Sequence, residues 1–286
     1  MKWRLAMLIV TDSASNITKL EGVNFASVAI KVLTDEKEYV DDSEAGIARM
    51  VEELSVYKGK SRSSCPAPGD WVEAFGEEKE IFVTTITSGL SGSYNSAMVA
   101  KQQYEDEYPD RKVFVIDTLS AGPEMGLIIY KLQELILEGK SFAAICDEIT
   151  EYKKKTILLF SLENLTNLAN NGRVNPAIAK IIGFIGIRLV GRVSIDGILE
   201  PNDKCRGEKS ALSTLVKNMK KFGYDGGKVI IDHCFNKEAA NELASLLRND
   251  FPKADITIST TKALCSFYAE KGGLMIGCEL KAEKPA

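Results

Sequence analysis

Serine and glycine residues dominate one short stretch of the sequence, where residues 88–93 read Ser-Gly-Leu-Ser-Gly-Ser. The preceding residues 81–86 are β-branched and aromatic, which predicts a buried strand, and residues 95–104 favour a helix. A glycine-rich turn at a helix N-terminus offers backbone N–H groups and a positive dipole end to an anion. The stretch therefore predicts a site for a small acidic group, with Ser91 and Ser93 as hydroxyl donors. The alternative is that either serine only caps the helix.

Further hydrogen-bond donors occur at two other places in the chain. Ser63 and Ser64 lie in a polar segment, residues 60–69, whose prolines predict a loop. Arg173 follows Gly172, where a backbone turn would direct the guanidinium inward. A buried carboxylate requires several donors and a counter-charge, and these residues supply both. The alternative for Arg173 is an interdomain contact or a helix C-cap contact.

Three other chemistries compete with simple anion binding. Residues 89–93 are similar to the G-x-S-x-G motif of serine hydrolases, but the last position is serine, and His233 is the only histidine available as a base. A hydrolase or acyltransferase with Ser91 as its nucleophile therefore remains open. A binder of a small phosphorylated metabolite also remains open, although no phosphate-loop motif occurs. No cysteine or histidine spacing resembles a metal site, so we expect neither a metal nor a cofactor.

The arrangement of predicted elements divides the chain in two. In the first half, strands at 5–10, 25–33, 81–86 and 112–116 alternate with helices, which predicts an α/β domain with a doubly wound, mostly parallel sheet. The second half is predicted to be an α+β domain with a mixed sheet, including a hairpin turn at Asp196-Gly197. We predict domains at 1–157 and 158–286, with a ligand between them.

The composition and net charge of the chain limit the classes of partner that we expect. The chain has 286 residues and a net charge of −4, which argues against nucleic acid. Its six cysteines form no C-x-x-C pair, and no apolar stretch is long enough to span a membrane. A cytoplasmic protein with free thiols is expected.

An apolar ligand would need lining residues beyond the ordinary core. Residues 177–187 are unusually apolar for a surface helix, and the helix itself is predicted at 175–183. Plain core packing is the alternative for every candidate in this set. The candidates for an acyl tunnel are Leu119, Met125, Ile128, Ile182 and Phe184.

Taken together, the segments resemble the DegV family of bacterial fatty-acid-binding proteins, in order and spacing over nearly the whole chain. The segment S-G-L-S-G-S-Y at 88–94 is the most specific match. The other matches include Thr11-Asp12-Ser13, Ser63-Ser64-Cys65-Pro66, Asp117-Thr118, Leu162-Glu163-Asn164-Leu165, Asn171-Gly172-Arg173 and Lys204-Cys205-Arg206-Gly207.

The resemblance implies a long-chain fatty acid lying between two α/β domains. It implies that the carboxylate is held by the Ser63-Ser64 loop, by Ser91 with nearby backbone N–H groups at Gly92 and Ser93, and by Arg173. It also implies a non-catalytic role, in which the protein presents the acyl group to a separate ATP-dependent fatty acid kinase that feeds phospholipid synthesis. Ligand exchange would involve peripheral contact with a membrane.

The sequence departs from the family pattern in three places. The usual Thr-Ser-Gln-Pro reads Ser63-Ser64-Cys65-Pro66, and Asn171 replaces the glycine before Gly172. Many members carry a histidine near the C-terminus, but residues 264–273 contain none. If that histidine binds the head group or assists phosphoryl transfer, its role falls here to Cys265, Ser266 or another group, or is absent.

Overall fold

The computed structural model describes residues 7–40, 44–174 and 186–285. The strands of this part of the chain are β1 (Met7–Asp12), β2 (Asn24–Val28), β3 (Lys31–Thr34), β4 (Glu38–Tyr39), β5 (Ser61–Ser64), β6 (Glu80–Thr85), β7 (Lys112–Asp117), β8 (Thr156–Leu162), β9 (Ile187–Val193), β10 (Leu199–Arg206), β11 (Lys228–His233), β12 (Asp255–Thr260) and β13 (Leu274–Glu279). The helices are α1 (Glu44–Val56), α2 (Pro68–Phe75), α3 (Ser93–Glu107), α4 (Pro123–Leu137), α5 (Phe142–Lys153), α6 (Thr166–Asn170), α7 (Glu208–Lys221), α8 (Lys237–Asp250) and α9 (Ala263–Ala269). A 3-10 turn, Ser13–Ser15, follows β1.

The first sheet is parallel, with the strand order β2-β1-β6-β7. Side chains alternate between its two faces, as the pleat of a strand requires. Val10 and Val83 pack against Trp71 on the face covered by α2 and α3. Ile9 packs with Ile128 on the opposite face, which α4 and α5 cover. Helices on both faces make this unit doubly wound, as the sequence predicts.

The second sheet is mixed, with the order β10-β9-β8-β13-β11-β12. Only the β11–β12 pair is parallel within it, and the predicted hairpin turn at Asp196-Gly197 is confirmed between β9 and β10. Helices α7 and α8 cover one face, where Leu212 and Leu243 pack with Ile157. The predicted domain boundary after residue 157 falls inside β8 and stays a prediction.

Helix α4 also contacts the second sheet and so lies between the two sheets. Its first turn approaches β13 closely at Gly277, where an added Cβ would lie 2.5 Å from the backbone N of Glu124. Only glycine allows this separation. Within the described residues, no helix is long and apolar enough to cross a bilayer.

Two sequence predictions are wrong in the segment between β1 and α2. Residues 25–33 are not one strand: the chain leaves the parallel sheet after β2, and the Ile30 N–H donates to Ser13 Oγ at 2.9 Å. The following residues form β3 in a separate antiparallel sheet of order β4-β3-β5. The predicted loop at 60–69 contains β5, whose polar residues carry no apolar alternation and become a strand by pairing with β3. The helix predicted at 175–183 lies outside the described residues.

A buried carboxylate fixes the loops at the end of β1. Asp12 Oδ2 accepts hydrogen bonds from the Ile86 N–H at 2.9 Å and from Ser93 Oγ at 2.6 Å, and Oδ1 accepts from the Ala14 N–H at 3.2 Å. Burial raises the pKa of Asp12 to about 6, while the bonds from Ser93, Ile86 and Ala14 act in the opposite direction. Asp12 therefore holds both ends of the 86–93 loop.

Replacing Ser93 with alanine removes a hydrogen bond to a buried carboxylate. We expect Ser93→Ala to lower the free energy of unfolding by about 1.5–3 kcal/mol. Urea denaturation measures the change. Ser88, an exposed serine of the same loop, is the matched control, and Ser88→Ala should stay within about 0.5 kcal/mol of the wild type. Equal effects of the two substitutions would show that the Asp12–Ser93 bond does not stabilise the fold.

The raised pKa of Asp12 also predicts a pH dependence. The folded protein binds the proton of the Asp12 carboxyl more tightly than the unfolded chain does, because the pKa of Asp12 is near the usual 3.8 in the unfolded chain and about 6 in the folded protein. This proton therefore stabilises the folded state fully below pH 3.8, and its contribution is lost as the pH rises through about 6. Wild type should therefore gain about 1 kcal/mol relative to Asp12→Asn on going from pH 7 to pH 5. Paired denaturation curves test this, and the side-chain 13C shift of Asp12 follows the same titration directly. If the free energies of unfolding of wild type and Asp12→Asn differed by the same amount at both pH values, the predicted titration of Asp12 would be wrong.

Candidate functional site

A cavity lies where the carboxyl ends of the parallel strands face the second sheet. It encloses about 750 Å³, including the space at its open mouth, and we call it the inter-sheet cavity. Most of its lining is apolar and comes from the loops after the parallel strands, from the second sheet and α6, and from α9. These residues are Ile30, Ile86, Leu90 and Ala121; Leu158, Phe160, Leu162, Leu168, Val193, Leu199 and Met275; and Leu264, Cys265, Tyr268 and Ala269.

The remaining lining residues are polar: Ser63, Thr87, Ser91, Ser120 and Arg173. In two of these residues the hydroxyl proton already forms a hydrogen bond within the protein. Thr87 Oγ1 donates to the Gly197 carbonyl at 3.0 Å, and Ser120 Oγ donates to the buried Glu124 carboxylate. Those hydroxyls can offer only lone pairs to a ligand. Of these five residues, Ser63, Ser91 and Arg173 can still donate, and the hydroxyl of Tyr268 is a further polar group of the lining.

Ser91 lies in the turn that leads into α3. Its backbone N–H donates to the Thr87 carbonyl at 3.2 Å, and its Oγ accepts the Ser93 N–H at 3.2 Å. Its own hydroxyl proton has no acceptor among the described residues. The side chain is thus oriented by its neighbours and has one proton left for a ligand in the cavity.

Ser63 lies on β5, where alternate side chains face opposite sides of the strand. Ser63 faces the cavity, and its Oγ is 2.7 Å from the hydroxyl oxygen of Tyr268 on α9. Ser64 points to the other side and is exposed.

Arg173 is positioned by the turn after α6. Gly172 has φ +70°, a left-handed conformation that glycine adopts readily, and the Arg173 N–H then donates to the Leu168 carbonyl at 2.8 Å. No carboxylate of the described residues forms an ion pair with Arg173. The cavity wall therefore contains a cation that has no carboxylate partner within the described part of the chain.

Two further residues of the predicted carboxylate site lie outside the cavity lining. Gly92 is the N-cap of α3, and its carbonyl accepts the Ser96 N–H at 3.0 Å. Ser93 is buried, and its hydroxyl donates to Asp12. Both therefore hold the loop of Ser91 in place.

The structure also places the predicted tunnel residues. Met125 belongs to an apolar cluster that includes cavity-lining residues, but it does not itself line the cavity. Ile128 packs in the core between the first sheet and α4, and Leu119 lies in the loop after β7 with φ +53°. Ile182 and Phe184 lie outside the described residues.

Sequence reasoning missed Tyr268 and the inward face of β8. All seven residues of β8 are buried, so its sequence carries no alternation that separates the face toward the cavity (Leu158, Phe160) from the face toward α7 (Ile157, Leu159). No sequence signal distinguishes these faces. Tyr268 does carry a sequence signal, because α9 is mostly apolar and the Tyr268 hydroxyl is one of only two hydroxyls within it.

The hydrolase alternative requires a histidine beside Ser91. His233, the only histidine of the sequence, lies at the end of β11 and does not line the cavity. Its Nδ1 accepts the Asn236 N–H at 3.4 Å, and burial lowers its pKa. Ser91 therefore shares the cavity with no imidazole base.

Comparison with known proteins agrees with this architecture. The family model described as "Uncharacterised protein, DegV family" matches residues 6–280. A DegV domain-containing protein of Streptococcus gordonii is 41% identical over 284 residues, which cover 98% of this chain and 100% of that protein.

Two solved structures are similar over 96% of this chain. A DegV family protein from Eubacterium eligens loaded with heptadecanoic acid is 43% identical, with a TM-score of 0.94 over 100% of its length. The Fatty Acid Kinase (Fak) B3 protein of Streptococcus pneumoniae loaded with linoleic acid is 40% identical, with a TM-score of 0.93 over 99% of its length. The chain described here belongs to the DegV family.

Proposed function

We propose that this protein binds a long-chain fatty acid in the inter-sheet cavity. The hydrocarbon tail lies along the apolar walls, and the carboxylate is held by Ser63, Ser91 and Arg173. The observation that carries the proposal is the cavity itself: a mostly apolar lining that contains an arginine with no carboxylate partner among the described residues. That combination matches a ligand with a long apolar body and one negative charge.

The energetics favour an acyl ligand over a small polar one. Burial stabilises each CH₂ by about 0.8 kcal/mol, so a long chain gains about 10 kcal/mol before the costs of association. A small phosphorylated metabolite has no such surface to bury and carries more charge than the few available donors can satisfy. Two structural relatives, at 43% and 40% identity, are described as loaded with heptadecanoic acid and linoleic acid.

We further propose that the protein presents its ligand to a separate ATP-dependent fatty acid kinase. The similarity to the Fak B3 protein supports this role. The chain contains no phosphate-loop motif, so a phosphoryl donor would have to be bound by the partner. Peripheral contact with a membrane would allow ligand exchange. Six free thiols suit the cytoplasm as the site of action.

Purified protein tests the ligand class most directly. We expect native mass spectrometry, and gas chromatography of an organic extract, to find about one fatty acid per recombinant chain, because the buried tail slows dissociation. Protein that is purified without a bound fatty acid should take one up when it is incubated with fatty acids of several chain lengths. Protein that stays empty under both conditions would refute fatty-acid binding.

Ser91→Ala tests the head-group site. Loss of a hydrogen bond to a charged group should weaken fatty-acid binding by about 1–3 kcal/mol, measured by titration of delipidated protein. Ser88→Ala is the matched control, because Ser88 is exposed in the same turn and does not line the cavity. If the Ser91→Ala variant bound fatty acid with unchanged affinity, the carboxylate would have to bind elsewhere in the cavity.

A further inference from the structure

Helix α9 brings one polar group to the cavity from the far end of the chain. Ser63 Oγ and Tyr268 OH are 2.7 Å apart although 205 residues separate them in sequence, and both residues line the inter-sheet cavity. The other polar side chains of α9 are engaged elsewhere. Cys265 Sγ donates to the Ala14 carbonyl at 3.3 Å, and Ser266 Oγ pairs with Thr261 Oγ1 at 2.7 Å. Tyr268 is therefore the residue of α9 whose hydroxyl is placed to serve a ligand.

The number of hydroxyl protons determines how many hydrogen bonds Ser63 and Tyr268 can donate to a ligand. Two hydroxyl groups carry two protons, and one proton forms the bond between Ser63 and Tyr268. The other has no acceptor among the described residues, because this bond is the single side-chain hydrogen bond of either hydroxyl there. An anion that accepts the second proton would strengthen the first bond, since hydrogen bonds in a chain polarise one another.

Both hydroxyls are held by rigid surroundings. The Tyr268 ring packs on the Phe267 ring, with centroids 4.8 Å apart, and it contacts three apolar clusters of the protein. Ser63 is fixed by the pairing of β5 with β3, opposite Val32. A donor that is already in place needs little reorganisation when a ligand arrives.

We propose that Ser63 and Tyr268 form a two-hydroxyl relay that gives a single hydrogen bond to the carboxylate of the ligand. The relay selects an ionised acid over an ester of the same chain, because only the acid presents a charged acceptor. It rests on the proposed fatty-acid binding and deepens it. Tyr268 acts as a specificity-determining residue, either as the direct donor or by polarising Ser63.

A double-mutant cycle with two ligands tests the relay. We expect one of Tyr268→Phe and Ser63→Ala to weaken fatty-acid binding by about 10- to 100-fold and the other by less. The double variant should be no weaker than the worse single variant, because the pair supplies one bond. Binding of the methyl ester of the same acid should change less than about 3-fold in every variant, since an ester carries no charge.

Two results of this cycle would overturn the relay. Losses that multiply in the double variant would show two independent hydrogen bonds. An equal loss for acid and ester would show that the substitutions disturb the cavity rather than the head group. A wild-type protein that binds neither ligand would instead refute the proposed function, so the two failures are distinguishable.

The variant Tyr268→His distinguishes direct contact with the carboxylate from a purely structural role of residue 268, because only direct contact makes the binding affinity depend on the charge of the new side chain. An imidazole has an ordinary pKa of about 6.5, so a histidine beside the carboxylate becomes a cation as pH falls. The affinity of Tyr268→His relative to wild type should therefore rise by about 10-fold between pH 8 and pH 5.5. A ratio that stays flat over this range would place residue 268 away from the head group and overturn the relay.

Discussion

The burial of the Asp12 carboxylate is the constraint on which the site depends. A carboxylate without partners is very costly to bury, so its oxygens must be met by donors. Two of these donors, the Ile86 N–H and the Ser93 hydroxyl, come from opposite ends of the loop that carries Ser91. Asp12 thus defines the shape of that loop through its own need for hydrogen bonds. The orientation of Ser91 follows from this constraint.

Polar contacts near the cavity also join the two sheets. The Asn16 side chain donates to Asp232 Oδ2 at 2.6 Å and accepts the Lys262 N–H at 2.8 Å. Thr87 donates to the Gly197 carbonyl, and a Cβ at Gly197 would lie 2.0 Å from Thr87 Oγ1, so this contact requires glycine. These hydrogen bonds join the two units in addition to the packing of α4 and of apolar residues such as Ile86 and Leu264.

The sequence predicts the fold class and the general position of the site, because strand ends rich in hydroxyl groups are a local signal. It does not separate Ser63 from Ser64, since their different directions depend on β5 pairing with β3. Nor does it separate Ser91 from Ser93, because the partner of Ser93 is a carboxylate 81 residues away. Contacts that are distant in sequence decide which hydroxyl faces the cavity and which supports the loop. Tyr268 depends on such a contact too.

The polar groups of the cavity differ in whether their protons are engaged within the protein. The hydroxyls of Thr87 and Ser120 already donate to protein acceptors and present only lone pairs. The Ser91 hydroxyl and the Ser63–Tyr268 pair each retain a proton. With the positive charge of Arg173, the retained protons form a set that an anion satisfies and that a neutral ester does not. Under the proposed fatty-acid binding, selectivity for an ionised head group would arise from internal hydrogen bonds that leave some donors available and engage the others.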